Sequence, residues 1–259
     1  MLLVLSVVIS LSAALSSCGS KGNETSEAPS AGAVAGSPVD MSTTGTITGS
    51  IKLDGNPPEM KNISMAAAQK CAEQRSAPAM TQTVVPGGNG TLQNVVVYLK
   101  GDFSRYSFPK MTTPVTIDQQ GCMFNPHVLA VMIGQPLRVI NSDAMGHNIN
   151  AASKNSPRQN ESQPAGSTPK DMSFAHEEIA ISVKCNIHPW MKAYIAVVGT
   201  PYFQVTGQDG SFELKNVPPG TYTLTAWHET YGTSEQSVTI GPKEEKAVNI
   251  TIKAAAGSY

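Results

Sequence analysis

Val183-Lys184-Cys185-Asn186-Ile187-His188-Pro189-Trp190-Met191 places a thiol, an imidazole and a thioether on one short loop, in the spacing Cys-x2-His-x2-Met. A second imidazole lies upstream in Asn141-Ser142-Asp143-Ala144-Met145-Gly146-His147-Asn148-Ile149. A third stretch, Cys122-Met123-Phe124-Asn125-Pro126-His127-Val128-Leu129, leads through Val131, Ile133 and Gly134 to Val139. Thiolate and thioether sulfur suit soft metal ions, and imidazole serves soft and borderline ones alike. Apolar β-branched residues flank all three stretches, so the donors fall at strand ends and in loops.

Outward from this block the sequence continues as strands. Thr46 to Leu53 alternates apolar and polar residues, which puts Ile47, Ile51 and Leu53 on one buried face, and turns at Asp54-Gly55-Asn56-Pro57-Pro58. Val95-Val96-Val97-Tyr98-Leu99 reads as a second strand, with a short helix between them around Ala66 to Gln74. After residue 201 the pattern is strand, turn, strand: Phe203 to Val205, Ser211 to Leu214, Thr221 to Trp227, Gln236 to Ile240 and Ala247 to Ile252. The expected fold class is therefore all-β.

The loop Cys185-x2-His188-Pro189-Trp190-Met191 and the pair His147-Asn148 resemble the cupredoxins, amicyanin-like proteins in particular. The resemblance implies a Greek-key sandwich over residues 110–200 with one type 1 copper ion. It implies His147, Cys185 and His188 as equatorial ligands and Met191 as the axial one. Asn148 is then expected to brace the Cys185 loop, a task that fixes ligand geometry. The apolar exit patch for electrons is expected at His188, Pro189 and Trp190, with Ile187 and Met145 beside it. A zinc site assembled from Cys185, His188, Cys122 and His127 is the rival set. It leaves Met191 and His147 without a purpose. No Cys-x-x-Cys-His haem motif occurs.

Asp209-Gly210-Ser211-Phe212, followed by Val217-Pro218-Pro219-Gly220-Thr221-Tyr222-Thr223-Leu224, resembles the carboxypeptidase regulatory-like domain, a small transthyretin-like sandwich. In that family the opening strands look like Gly45 to Leu53 and Val95 to Leu99, here far upstream. The expected organisation is one regulatory-like sandwich, residues 45–109 and 201–254, interrupted by the cupredoxin block. The rival is an enlarged cupredoxin that owns the N-terminal strands.

Met1 to Leu15 reads as the apolar core of a secretory signal, ending in Leu15-Ser16-Ser17-Cys18-Gly19. This resembles the bacterial lipobox and implies a leader over residues 1–17 and lipidation of Cys18. The implied location is the periplasmic side of the envelope, anchored to a membrane. No Lys or Arg precedes the apolar run, a departure from the usual leader. Residues 18–44, rich in Ser, Gly, Ala and Thr, read as a flexible tether. Cys71 and Cys122 are then the spare cysteines, and in an oxidising compartment two spare cysteines pair. A second metal site using Cys122 and His127 is the alternative. Nothing in the sequence assigns a role to His228.

Only 14% of residues are charged and the formal net charge is −1, which gives no long electrostatic reach toward nucleic acid. No P-loop or Gly-x-Ser-x-Gly elbow is present. Lys184 and Asn186 flank Cys185, where multicopper oxidases and copper nitrite reductases resemble one another in carrying His. The expectation is an electron carrier with a protein redox partner, not an enzyme. A copper-delivery protein and a structural surface module are the competing functions. The scattered methionines form no delivery tract.

Overall fold

The computed structural model describes residues 36–254. The signal segment, Cys18 and most of the expected tether lie outside the described residues. The chain opens with β1 (Ser37–Pro38), β2 (Gly45–Asp54), the short helix α1 (Gln69–Glu73), β3 (Val96–Lys100) and β4 (Tyr106–Ser107). The central block contains β5 (Val115–Gln120), β6 (Met123–Asn125), β7 (Val128–Met132), β8 (Leu137–Asn141) and β9 (His147–Ala152). It continues with β10 (Gln159–Gln163), β11 (Lys170–Met172), β12 (Glu178–Lys184) and β13 (Lys192–Val198). The C-terminal block has β14 (Phe203–Val205), β15 (Ser211–Val217), β16 (Gly220–His228), β17 (Gly232–Ile240), β18 (Glu245–Ala247) and β19 (Ile250–Lys253). One expectation changes at the start: Ser37–Pro38 falls in the stretch read as tether, yet it pairs in parallel with Tyr106–Ser107.

These strands make two sandwiches. The central one packs the sheet β10-β9-β12-β13-β7 against β11-β8-β5-β6. The other is built from β14-β3-β16-β17 and from β15-β2-β18, with β19 also on β2. β2 and β3 thus hydrogen-bond to strands that follow residue 202, not to the central sheets. The central sandwich lies in sequence between the early and late strands of the other one. The reading of β2 and β3 as part of an enlarged cupredoxin gives way to these pairings.

The two middle sheets stand back to back, and period-two alternation fills both of their faces. Along β7, Leu129 and Val131 enter the central core while Val128 and Ala130 enter a core shared between the sandwiches. β13 divides in the same way, with Ile195 and Val197 inward and Ala196 and Val198 outward. β3 sends Val97 and Leu99 into its own sandwich and Val96 and Tyr98 into the shared core, where Trp227 joins them. Strands covered on both faces read as continuous apolar runs. Each fully buried Val or Leu contributes about 1.5–3 kcal/mol, so the shared core makes the sandwiches one body. Among the described residues, no helix is long and apolar enough to cross a membrane.

Candidate metal centre

β12 ends at Lys184 and β13 starts at Lys192, so Cys185 to Met191 is the hairpin connection between them. The loop closes on itself: the Cys185 N–H donates to Met191 O (3.2 Å) and the Met191 N–H to His188 O (2.9 Å). Cys185 and His188 are buried and Met191 is fully so. His147 opens β9, which pairs with β12, and this register delivers the second imidazole to the loop. The donor atoms of His147, Cys185 and His188 all lie within 4.8 Å of one another. Nδ1 of His147 is 3.0 Å from Nδ1 of His188, which is 3.9 Å from Cys185 Sγ.

Neighbouring side chains fix these groups. Oδ1 of Asn148 accepts the Asn186 N–H at 2.9 Å, directly beside Cys185. Nδ2 of Asn150 donates to Oδ1 of Asn186 at 2.9 Å. Asp143 has a role that the sequence reading did not give it. Its carboxylate accepts the N–H groups of Gly121 (2.7 Å) and Cys122 (2.8 Å) and meets His147 Nε2 at 2.7 Å. An ionised carboxylate only accepts, so Nε2 carries the proton and Nδ1 is the nitrogen turned toward His188 and Cys185. The signal for this residue was an acid four positions before the histidine in Asn-Ser-Asp-x-x-Gly-His.

The same contacts set the charge states. Burial works against protonating His147, but Asp143 and Cys185 outweigh it and hold its pKa raised to about 9. Burial disfavours the Cys185 thiolate, yet His147 and the amides of Ile187 and His188 bring its pKa below the usual thiol value. His188 is held below the ordinary imidazole value by burial first and by the His147 charge second. Cys185 and His188 are thus held toward the forms that ligate metal, whereas His147 must release its Nδ1 proton to do so. The donor set, one thiolate and two imidazoles with a buried thioether on the same loop, fits copper.

Cys71 on α1 and Cys122 form a disulfide. Cys122 sits with Gly121 in the two-residue turn between β5 and β6, both at positive φ. That is the backbone of a tight hairpin turn, uncommon for a residue other than glycine. The rival zinc set is not assembled, because Cys122 is bonded to Cys71 and His127 faces elsewhere. His127 holds Lys192 O on Nδ1 (3.0 Å) and the Glu229 carboxylate on Nε2, which ties the central sandwich to the turn after β16. His228 is fully buried and takes the Thr230 N–H on Nδ1, while burial and the nearby His127 press its pKa down to about 4. Within the expected exit patch Pro189 is exposed, as is Ile187 beside it. His188 is only 7% exposed and Trp190 is half-buried, donating Nε1–H to Cys122 O at 3.0 Å, whereas Ile187 is 56% exposed.

Fold and site together define an all-β protein of two sandwiches, one of which bears a buried Cys-His-His cluster. Residues 188–253 match the family model of the carboxypeptidase regulatory-like domain. That contiguous match leaves out β2 and β3, which complete the sandwich from upstream. No curated protein matches the chain. Among solved structures, an oxidised amicyanin variant is similar at 15% identity and TM-score 0.30, over 39% of this chain and 98% of amicyanin. A purple cupredoxin from Nitrosopumilus maritimus is similar at 20% identity and TM-score 0.28, over 32% of this chain and 98% of that one. A copper-containing nitrite reductase from Thermus scotoductus SA-01 shares 21% identity at TM-score 0.30. That similarity spans 39% of this chain and only 25% of the reductase.

Proposed function

We propose that this protein is a single-copper electron carrier, not an enzyme, lipid-anchored through Cys18 on the periplasmic side of a bacterial envelope. The observation that carries the copper reading is the convergence of the donor atoms of His147, Cys185 and His188 within 4.8 Å in a buried site. Bound there, copper would supply one-electron cycling between Cu(II) and Cu(I). Cys185 would give the thiolate, His147 and His188 the imidazoles, and Met191 the thioether.

The chain's own residues do the remaining work. Asp143 keeps the His147 ring in the tautomer that presents Nδ1. Asn148 holds the amide next to Cys185, so the ligand loop keeps its shape when the charge at the centre changes. The closed loop and the surrounding core exclude water, which keeps the thiolate from oxidation and exchange. With no His beside Cys185, this reading gives the electron a single centre to visit before it leaves through Ile187 and the loop surface. The balanced charge favours apolar docking with a protein redox partner and no steering toward nucleic acid.

The test is optical. The purified protein loaded with Cu(II) is expected to show intense blue thiolate-to-copper absorption, and Cys185→Ser to abolish it. A colourless wild type at full copper loading, or a blue Cys185→Ser protein, sinks the reading.

A further inference from the structure

Sulfur is concentrated beyond the loop that carries Cys185. Met145 Sδ lies 3.5 Å from Cys71 Sγ and 3.4 Å from Cys122 Sγ. A ring nitrogen of His188 lies within 4.8 Å of both cysteine sulfurs. Both cysteines are fully buried. We infer that the Cys71–Cys122 pair, in its dithiol form, makes with the Met145 thioether a second soft-metal site that takes one Cu(I) ion.

The scaffold around the pair does not depend on the S–S bond alone. Asp143 accepts the Gly121 and Cys122 amides at 2.7 and 2.8 Å, and Trp190 donates to Cys122 O. On the other side, Arg75 Nη1 donates to Gly121 O at 2.9 Å, which ties the chain just after α1 to the same turn. Asn141 Nδ2 donates to Met145 O at 2.8 Å and keeps the thioether in place. None of these bonds involves a sulfur of the disulfide, so its cleavage removes none of the contacts that hold the Cys122 turn and Met145 in place. Two thiolates and a thioether are soft donors that select Cu(I) over the hard divalent ions. A cleft of about 550 Å³, lined by Gln74, Arg75, Gly121 and Asp143 among others, opens beside the turn.

The chemistry balances with a dithiol donor as reductant. Its two thiols pass two electrons and two protons to the disulfide and become a disulfide themselves, leaving Cys71 and Cys122 as thiols. Binding Cu(I) then releases the thiol protons to water. In the oxidised protein the same sulfurs are covalently capped and make no such site, so the redox state of the pair sets how many ions the protein holds. Because His188 borders both sulfur groups, the second ion lies beside the first centre.

The inference leans on the copper reading only for the count of two, and the experiment separates them. Protein with its disulfide intact, and protein reduced anaerobically by a dithiol that is then removed, are titrated with Cu(I) held by a colorimetric chelator. A thiol assay confirms two additional thiols in the reduced sample. One tight equivalent in the oxidised form and two in the reduced form are expected. Met145→Leu, which leaves both cysteines in place, should weaken the second equivalent at least tenfold and spare the first. Equal stoichiometry in the two forms overturns the inference. So does a second equivalent bound as tightly in Met145→Leu. None in the oxidised form with one in the reduced form supports it while sinking the proposed function.

Discussion

The metal-free protein should lose stability between pH 6.5 and 9 because one buried imidazole keeps its proton. His147 is fully buried, with Nε2 against Asp143 at 2.7 Å and Nδ1 against His188 at 3.0 Å. Its pKa is raised from 6.5 to about 9, the carboxylate and Cys185 prevailing over burial. A pKa raised on folding stabilises fully below the unfolded value and is lost as pH climbs through the folded one. At roughly 1.4 kcal/mol per pH unit, the proton is worth about 3 kcal/mol at pH 6 and little at pH 9. Domain stabilities run at about 5–15 kcal/mol, so a loss of this size moves a urea midpoint visibly. Cys185 works in the opposite sense: its pKa is depressed, so its contribution is present above the unfolded value of 9.0 and fades as pH falls through the folded one. The measurement is therefore urea unfolding of metal-free protein at pH 6 and pH 9, wild type against His147→Gln. The wild type should lose more than the variant over that interval, by up to about 3 kcal/mol less what Cys185 returns. Equal losses in the two proteins would refute the idea that Asp143 holds a proton on His147.

Three other outcomes follow from single contacts. His127→Ala strands the Glu229 carboxylate, 9% exposed, and should cost about 3–5 kcal/mol in urea unfolding, while the double replacement His127→Leu with Glu229→Leu recovers most of it; a loss under about 1 kcal/mol would make the bridge irrelevant to joining the sandwiches. Asn148→Ala removes the acceptor of the Asn186 amide and should cost about 1–3 kcal/mol and speed copper release to a chelator. Unchanged release would show that the loop needs no brace. Ile187→Glu should slow electron exchange with an apolar-faced partner about tenfold, by the standard of one poorly docked side chain, without altering the copper spectrum. A rate indifferent to this change would place the exit elsewhere.

How far the sequence alone reached differs from part to part. The donors from Cys185 to Met191 could be read together because a tight loop restricts their spacing, and the fold brings those of Cys185 and His188 within 4.8 Å of His147. The strands were legible where one face is buried, as in Gly45–Asp54, whose alternation is visible residue by residue. The pairing of Cys71 with Cys122 followed from counting cysteines, and its closeness to Met145 and His188 did not. That closeness depends on where α1 lands on the turn between β5 and β6, a contact between residues 51 positions apart.

What the sequence by itself determined was the kind of element at each position and the donors that one loop offers, since both are local. Which sheet claims each strand was decided only by tertiary structure. Val96–Lys100 and Val128–Met132 are apolar throughout, and such a run says that both faces are covered without saying by what. The same limit applied to Asp143, His127 and Glu229. A carboxylate's partner is whatever the fold brings within about 3 Å, and no periodicity in the chain encodes the meeting of His127 with Glu229 across 102 residues.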